Sequence, residues 1–158
     1  MPSEPSITPA ETASSSGIMT REEIVALFDR RQAAWDNLDA EALANDYADD
    51  CRIESPAGGT HRGRIAAQKV FEAVFDAFLD QKMRTESLVI DGNLVSQLVS
   101  IEGTNMGGFL GLPPSGKPFH LSAVFLYELK DGRIWRERRI YDFTGLLTQI
   151  GVLKTKPA

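Results

Sequence analysis

Cysteine and histidine are scarce in this 158-residue chain, which holds one Cys51 and two histidines, His61 and His120. One thiol closes no intramolecular disulfide, and no Cys/His cluster with ligand spacing is present. Neither a disulfide staple, a metal site nor a cofactor is therefore expected. Cys51 has no histidine or helix start beside it to activate the thiol, so it reads as a small buried hydrophobe, and such cysteine usage suits a reducing, cytoplasmic setting. Long apolar runs are missing too. None approaches the roughly 20 residues that span a bilayer, so no membrane partner is expected. Nor is there an excess of positive charge: 17 Lys and Arg face 22 Asp and Glu, net -5. Both signs are spread along the chain, which leaves no broad basic face for a phosphate backbone and excludes nucleic acid as the expected partner. The opening "MPSEPSITPAETASSSGI" lacks the basic start and apolar stretch of a secretory signal. Rich in Pro, Ser and Thr, it reads as a disordered tail over residues 1–19, followed by one domain over 20–158.

The whole chain is 42% hydrophobic, enough for one core. "TREE", from Thr20, is a capping box and starts a helix. Ile24, Leu27, Phe28, Arg31, Trp35 and Leu38 then recur at helical spacing, an apolar stripe interrupted by Arg31. Asp39 caps a shorter helix expected to run through Tyr47. "DDCRIESPAGG" reads as a short strand ending in a turn, with His61 in the loop that follows. A third helix, from about Arg64 to Leu79, carries Val70, Phe71, Val74, Phe75 and Phe78. Beyond Asp80 the period changes toward two, giving strands at about Arg84–Ile90, Leu94–Thr104, Phe119–Leu129 and Arg133–Tyr141. Helices first and strands later predict an α+β fold, a strongly curved antiparallel sheet covered by three N-terminal helices.

Alternation along the last two strands decides which side chains face those helices. In "LSAVFLYEL" the odd-numbered set, Leu121, Ala123, Phe125, Tyr127 and Leu129, is the more apolar and aromatic. The matching set in "RIWRERRIY" is Trp135, Glu137, Arg139 and Tyr141. One acid and one guanidinium are thereby expected on the covered face, close enough to pair, with Arg136 and Arg138 on the outer one. An unpaired charge there would cost several kcal/mol, about 3–5 kcal/mol for a broken pair. The pair reads either as a structural ion pair or as a ligand anchor. Asp142, just after the strand, reads first as the cap of a short C-terminal helix and second as a catalytic carboxylate. His120 falls with the outward set. "GTNMGGFLG" lacks the strand-to-helix setting of a phosphate loop and reads as a flap bringing Phe109 and Leu110 to a pocket mouth.

The G-x-x-x-G-x-P-P-[ST] pattern in "GTNMGGFLGLPPSGKPF", with the closing "DFTGLLTQIG", resembles the SnoaL-like polyketide cyclases of the nuclear-transport-factor-2-like superfamily over about Thr20–Gly151. That resemblance implies a cone formed by a bent sheet closed by three helices around an apolar pocket. In those cyclases a histidine on the penultimate strand and an aspartate on the last assist aldol closure. The corresponding positions here hold Phe125 and Arg139. The base that ketosteroid isomerases place before the proline of their first strand corresponds to Ser55, next to Glu54.

The expectation is therefore a hydrophobic small-molecule pocket lined by Trp35, Tyr47, Phe109, Phe125, Tyr127, Trp135 and Tyr141. As an enzyme it would do isomerase, cyclase or lyase chemistry through an enol or enolate, with Arg139 stabilising negative charge, Glu137 moving the proton and Asp142 as a further candidate. The alternative is a non-catalytic binding or association module. In it the outer set Val124, Leu126, Ile134 and Ile140 would bury a homodimer interface.

Overall fold

The computed structural model describes residues 18–154. The tail expected over 1–19 lies, up to residue 17, outside the described residues. Among the described residues there are four helices, α1 (Arg21–Asp36), α2 (Ala40–Asn45), α3 (Arg64–Ala77) and α4 (Phe143–Gln149). Six strands, β1 (Tyr47–Ser55), β2 (Gly59–Arg62), β3 (Lys82–Asp91), β4 (Leu94–Thr104), β5 (Pro118–Lys130) and β6 (Arg133–Tyr141), form one sheet in the order β2-β1-β6-β5-β4-β3. This is the expected α+β architecture. Among the described residues no helix is long and apolar enough to cross a membrane.

Local chemistry accounts for most boundaries. The Thr20 hydroxyl accepts from the Glu23 N–H at 3.1 Å, Asp39 from Ala42 at 3.0 Å, and Asp142 from Gly145 at 2.8 Å, so each side chain satisfies a free helix-start donor. "DGN" and "KDGR" turn the chain with Gly92, Asp131 and Gly132 at positive φ. Helices α1 and α3 lay Ile24, Leu27, Phe28, Trp35, Ala67, Phe71 and Phe75 onto Val95, Val99, Phe125 and Tyr127 to make the main core. A second cluster, Phe78, Phe109, Phe119, Leu146 and Ile150, closes the end where α4 packs.

Four expectations need correction. The sheet is not wholly antiparallel, because β1 and β6 pair in parallel, Ile53 with Glu137. Tyr47 does not end the second helix. The helix stops at Asn45, and Tyr47 opens β1 in register with Ile134. "GTHR" is not loop but the strand β2, hairpinned onto β1. The alternation of β6 also breaks once. Leu129 pairs with Ile134 and Glu128 with Arg136, so Trp135 is the extra residue of a β-bulge. The bulge turns Ile134, expected on the outer face, fully inward. Trp135 is left half-buried, with the Arg52 guanidinium 4.9 Å from its ring centre. Past the bulge the expected phase resumes.

Candidate functional site

Strand alternation, with the register between strands, builds the covered face in rows, since residues opposite each other share a face. One row runs His61, Ile53, Glu137, Tyr127, Val95; the next contains Arg139, Phe125 and Gln97. Glu137 is fully buried, and both of its oxygens are engaged. Oε1 accepts from the Tyr47 hydroxyl at 2.6 Å and Oε2 from Arg139 Nε at 2.6 Å. Arg31, an interruption of the apolar stripe by sequence, is itself buried on that stripe. Its Nη2 donates to the Tyr47 oxygen at 3.0 Å, and its Nη1 reaches the Leu43 carbonyl and Asp46. Sequence alone gave no reason to join Arg31 to the ion pair. The result is a chain Asp46–Arg31–Tyr47–Glu137–Arg139 running from the protein's edge to the inside of the sheet. Beside it, Tyr127 donates to Gln97 at 2.9 Å, and Gln97 to Thr85 at 2.8 Å.

Opposing effects fix the charge states. Burial pushes the Glu137 carboxyl up, but Arg139, Arg31 and the Tyr47 hydrogen bond outweigh it and hold the group below the usual carboxylate range. Burial disfavours the Arg139 cation, and Glu137 with the neighbouring tyrosines more than restores it. The Tyr47 and Tyr127 phenols are pushed up, chiefly by burial, and stay protonated donors.

Arg139 is the point where this network meets open space. Its guanidinium carbon lies 5.1 Å from the Phe71 ring centre and 5.2 Å from that of Phe125, stacking that suits a guanidinium more than an ammonium. Nε is committed to Glu137, while Nη2 is buried without a hydrogen-bond partner among the described residues. An unsatisfied buried donor of this kind costs about 1–3 kcal/mol or more, so its retention calls for an explanation.

Two adjoining cavities share Val74, Phe109, Arg139 and Tyr141 in their walls. The outer one, about 220 Å³, opens between β2, α3 and the Phe109 loop, with Ser55, His61, Lys69 and Leu110 at its rim. The inner one, about 60 Å³, reaches Trp35, Phe119, Phe125 and Leu146. Of the residues expected from sequence, Trp35, Phe109, Phe125, Arg139 and Tyr141 line this space. Tyr47, Tyr127 and Glu137 lie behind it in the packed core, and Trp135 lies away from it at the bulge. Asp142 is exposed as the α4 cap. His61 and Ser55 were not expected to line it. The signal for them was the turn "PAGG" between "CRIES" and "THR", a hairpin that sets His61 opposite the buried Ile53.

A larger open groove, about 840 Å³, runs between α1 and β3–β4, lined by Arg21, Asp29, Asp36, Arg84 and Glu102 among others. Its charges of both signs face water, and among the described residues no side chain with a buried unpartnered polar atom lines it. The smaller cavity is therefore the candidate site. Among the described residues no group of three or more His, Cys, Asp or Glu converges. On the outer face Arg136 and Arg138 share Glu54, and Arg136 also reaches Glu128.

Comparison with known proteins agrees with this architecture. Nogalonic acid methyl ester cyclase of Streptomyces nogalater is 30% identical over 113 residues, 70% of this chain and 81% of the cyclase. The structure of TsrD from Streptomyces laurentii superposes with a TM-score of 0.76 at 22% identity, covering 85% of this chain and 99% of TsrD. That of IdmH from Streptomyces antibioticus gives 0.64 at 28% identity, covering 83% and 97%. The family model described as SnoaL-like polyketide cyclase matches residues 26–150, and the chain belongs to that family.

Proposed function

We propose that this protein binds a hydrophobic cyclic or polyketide-like compound in the cavity of Arg139 and acts on it through an enol or enolate, as a cyclase, isomerase or lyase. The observation that carries the reading is Arg139 in the wall of an apolar cavity, its guanidinium held by Glu137 and its buried Nη2 without a hydrogen-bond partner among the described residues. A carbonyl oxygen gaining negative charge would pair with that guanidinium. A preorganised charged donor stabilises such an oxygen without further reorganisation. Glu137, assigned the proton by sequence reasoning, has neither oxygen free for a ligand and stays ionised. In this mechanism it orients Arg139.

The cavity is small beside the roughly 300–1,000 Å³ that enclose a drug-sized ligand. A large substrate would insert its reacting ring and leave the rest at the mouth, beside Leu110 and Lys69.

The second reading is a non-catalytic binding module. Phe125 and Arg139 favour it, since both stand where the family resemblance puts proton-transferring groups. A thermal-shift screen with aromatic polyketide esters, steroids and terpenoids, followed by a turnover test on each hit, separates the two readings. Arg139→Gln should weaken binding of a carbonyl-bearing hit roughly 10- to 150-fold, the value of one charged hydrogen bond. Unchanged affinity would sink the assignment of Arg139.

The proposal includes a homodimer formed through the outer face, where Val124 and Leu126 are half-buried and Ile140 is 50% exposed, beside the Arg136 and Arg138 cluster. A light-scattering mass of one chain at micromolar concentration would reject it. A cytoplasmic setting is likewise proposed, on the single unpaired Cys51.

A further inference from the structure

We infer that His61 is the proton-transfer group of this site, taking the role that Phe125 and Arg139 cannot perform. The inference rests on the enolate reading above and adds to it the missing base. Four observations support it. Register opposite the buried Ile53 places His61 on the covered side of the sheet, although β2 is an edge strand. The residue is half-buried and lines the same cavity as Arg139 and Tyr141. The imidazole lies against Gly58, where an added Cβ would stand 3.1 Å from Nε2, so the turn leaves space for the ring. No hydrogen bond from either ring nitrogen to another described residue is present, unlike His120, whose Nε2 is 3.0 Å from Ser100 Oγ.

The other titratable or charged side chains around that cavity are Lys69 from α3 and Arg139 and Tyr141 from β6. Arginine stays protonated and does not accept a proton, whereas an imidazole both accepts and returns one. Tyr141 Oη lies 3.5 Å from Ser55 Oγ, and both residues line the same cavity.

The step balances within the site. A C–H bond next to the ligand carbonyl breaks, and its proton passes to the unprotonated ring nitrogen of His61. The electron pair moves into the carbonyl oxygen, held as an enolate by the Arg139 guanidinium. The enolate carbon then either recovers the proton from His61 or attacks an electrophilic carbonyl in the same molecule, forming a carbon–carbon bond, with the proton delivered to the new alkoxide.

The test uses 2-tetralone, a two-ring ketone, as probe, and follows exchange of its α-hydrogens in deuterated buffer by proton NMR. Wild type, His61→Asn, His61→Gln, His120→Asn and Arg139→Gln are compared at equal occupancy, with folding checked by thermal melting. Expected is exchange well above the buffer rate for wild type and His120→Asn, and slower by about 100-fold or more for both His61 variants. Probe affinity in the His61 variants should stay within twofold, the pH inflexion of the wild-type rate should vanish, and added imidazole should restore part of the rate. Exchange within threefold of wild type in His61→Asn, with Arg139→Gln impaired, would overturn the role of His61 and leave the enolate reading standing. Wild-type exchange no faster than buffer would overturn both.

Discussion

Glu137→Leu is expected to lower the unfolding free energy by about 3–5 kcal/mol, the range found when one member of a buried ion pair is removed. The substitution removes the acceptor of the Tyr47 hydroxyl and leaves Arg139 a buried cation without its carboxylate, while Arg31, which keeps Asp46, loses a second favourable charge. In a chain of this size the melting midpoint should fall by roughly 6–20 °C. Glu137→Gln, which keeps a hydrogen-bonding oxygen, should cost less. The double change Glu137→Leu with Arg139→Met should cost less than the sum of the singles, because neither charge is then left alone.

The effect depends on pH with a definite sign. The folded carboxyl sits below its ordinary value, so between the two values the unfolded chain binds the proton and the folded one does not. The Glu137 contribution is therefore complete above the ordinary range near ~4.3 and is lost as pH falls through the folded value. Denaturant unfolding of wild type and Glu137→Gln across that acid range checks it. Parallel curves would mean that the carboxylate is not the source.

Phe71→Ala is the second large effect, expected at about 3–5 kcal/mol in urea unfolding. Phe71 is fully buried, with ring centres of Trp35, Tyr47 and Phe75 at 5.6, 5.8 and 6.5 Å. It is also the ring beneath two guanidiniums, 5.1 Å from Arg139 and 5.9 Å from Arg31. The truncation thus removes core volume and an electrostatic surface at once. Phe71→Leu restores most of the volume but no ring face, so it should recover stability more fully than ligand affinity. Equal recovery of both would show that the ring acts only by filling space.

The fold was legible because its signals are local. Thr20, Asp39 and Asp142 announce helix starts by side-chain chemistry within three residues, and the period change after Asp80 marks the sheet. Alternation also placed Phe125, Tyr127, Glu137 and Arg139 on one face, since β5 and β6 are regular there. It failed at Trp135, where the extra residue exists only relative to the partner strand and leaves no mark in "RIWRERRIY". The link from Arg31 to the ion pair was hidden for a similar reason, since it passes through Tyr47 to Glu137, 90 positions further along. His61 was missed because a four-residue edge strand is too short for a period to be read.

The side-by-side docking of β1 with β6 carries a kinetic consequence. During synthesis β1 leaves the ribosome long before β6 exists, whereas β3 with β4 and β5 with β6 close across two-residue turns. Contacts between such distant segments raise the contact order and slow folding, and until they form β1 presents an unsaturated edge. The cavity walls, to which β1 gives Ser55 and β6 gives Arg139 and Tyr141, would be among the last parts of the molecule to mature.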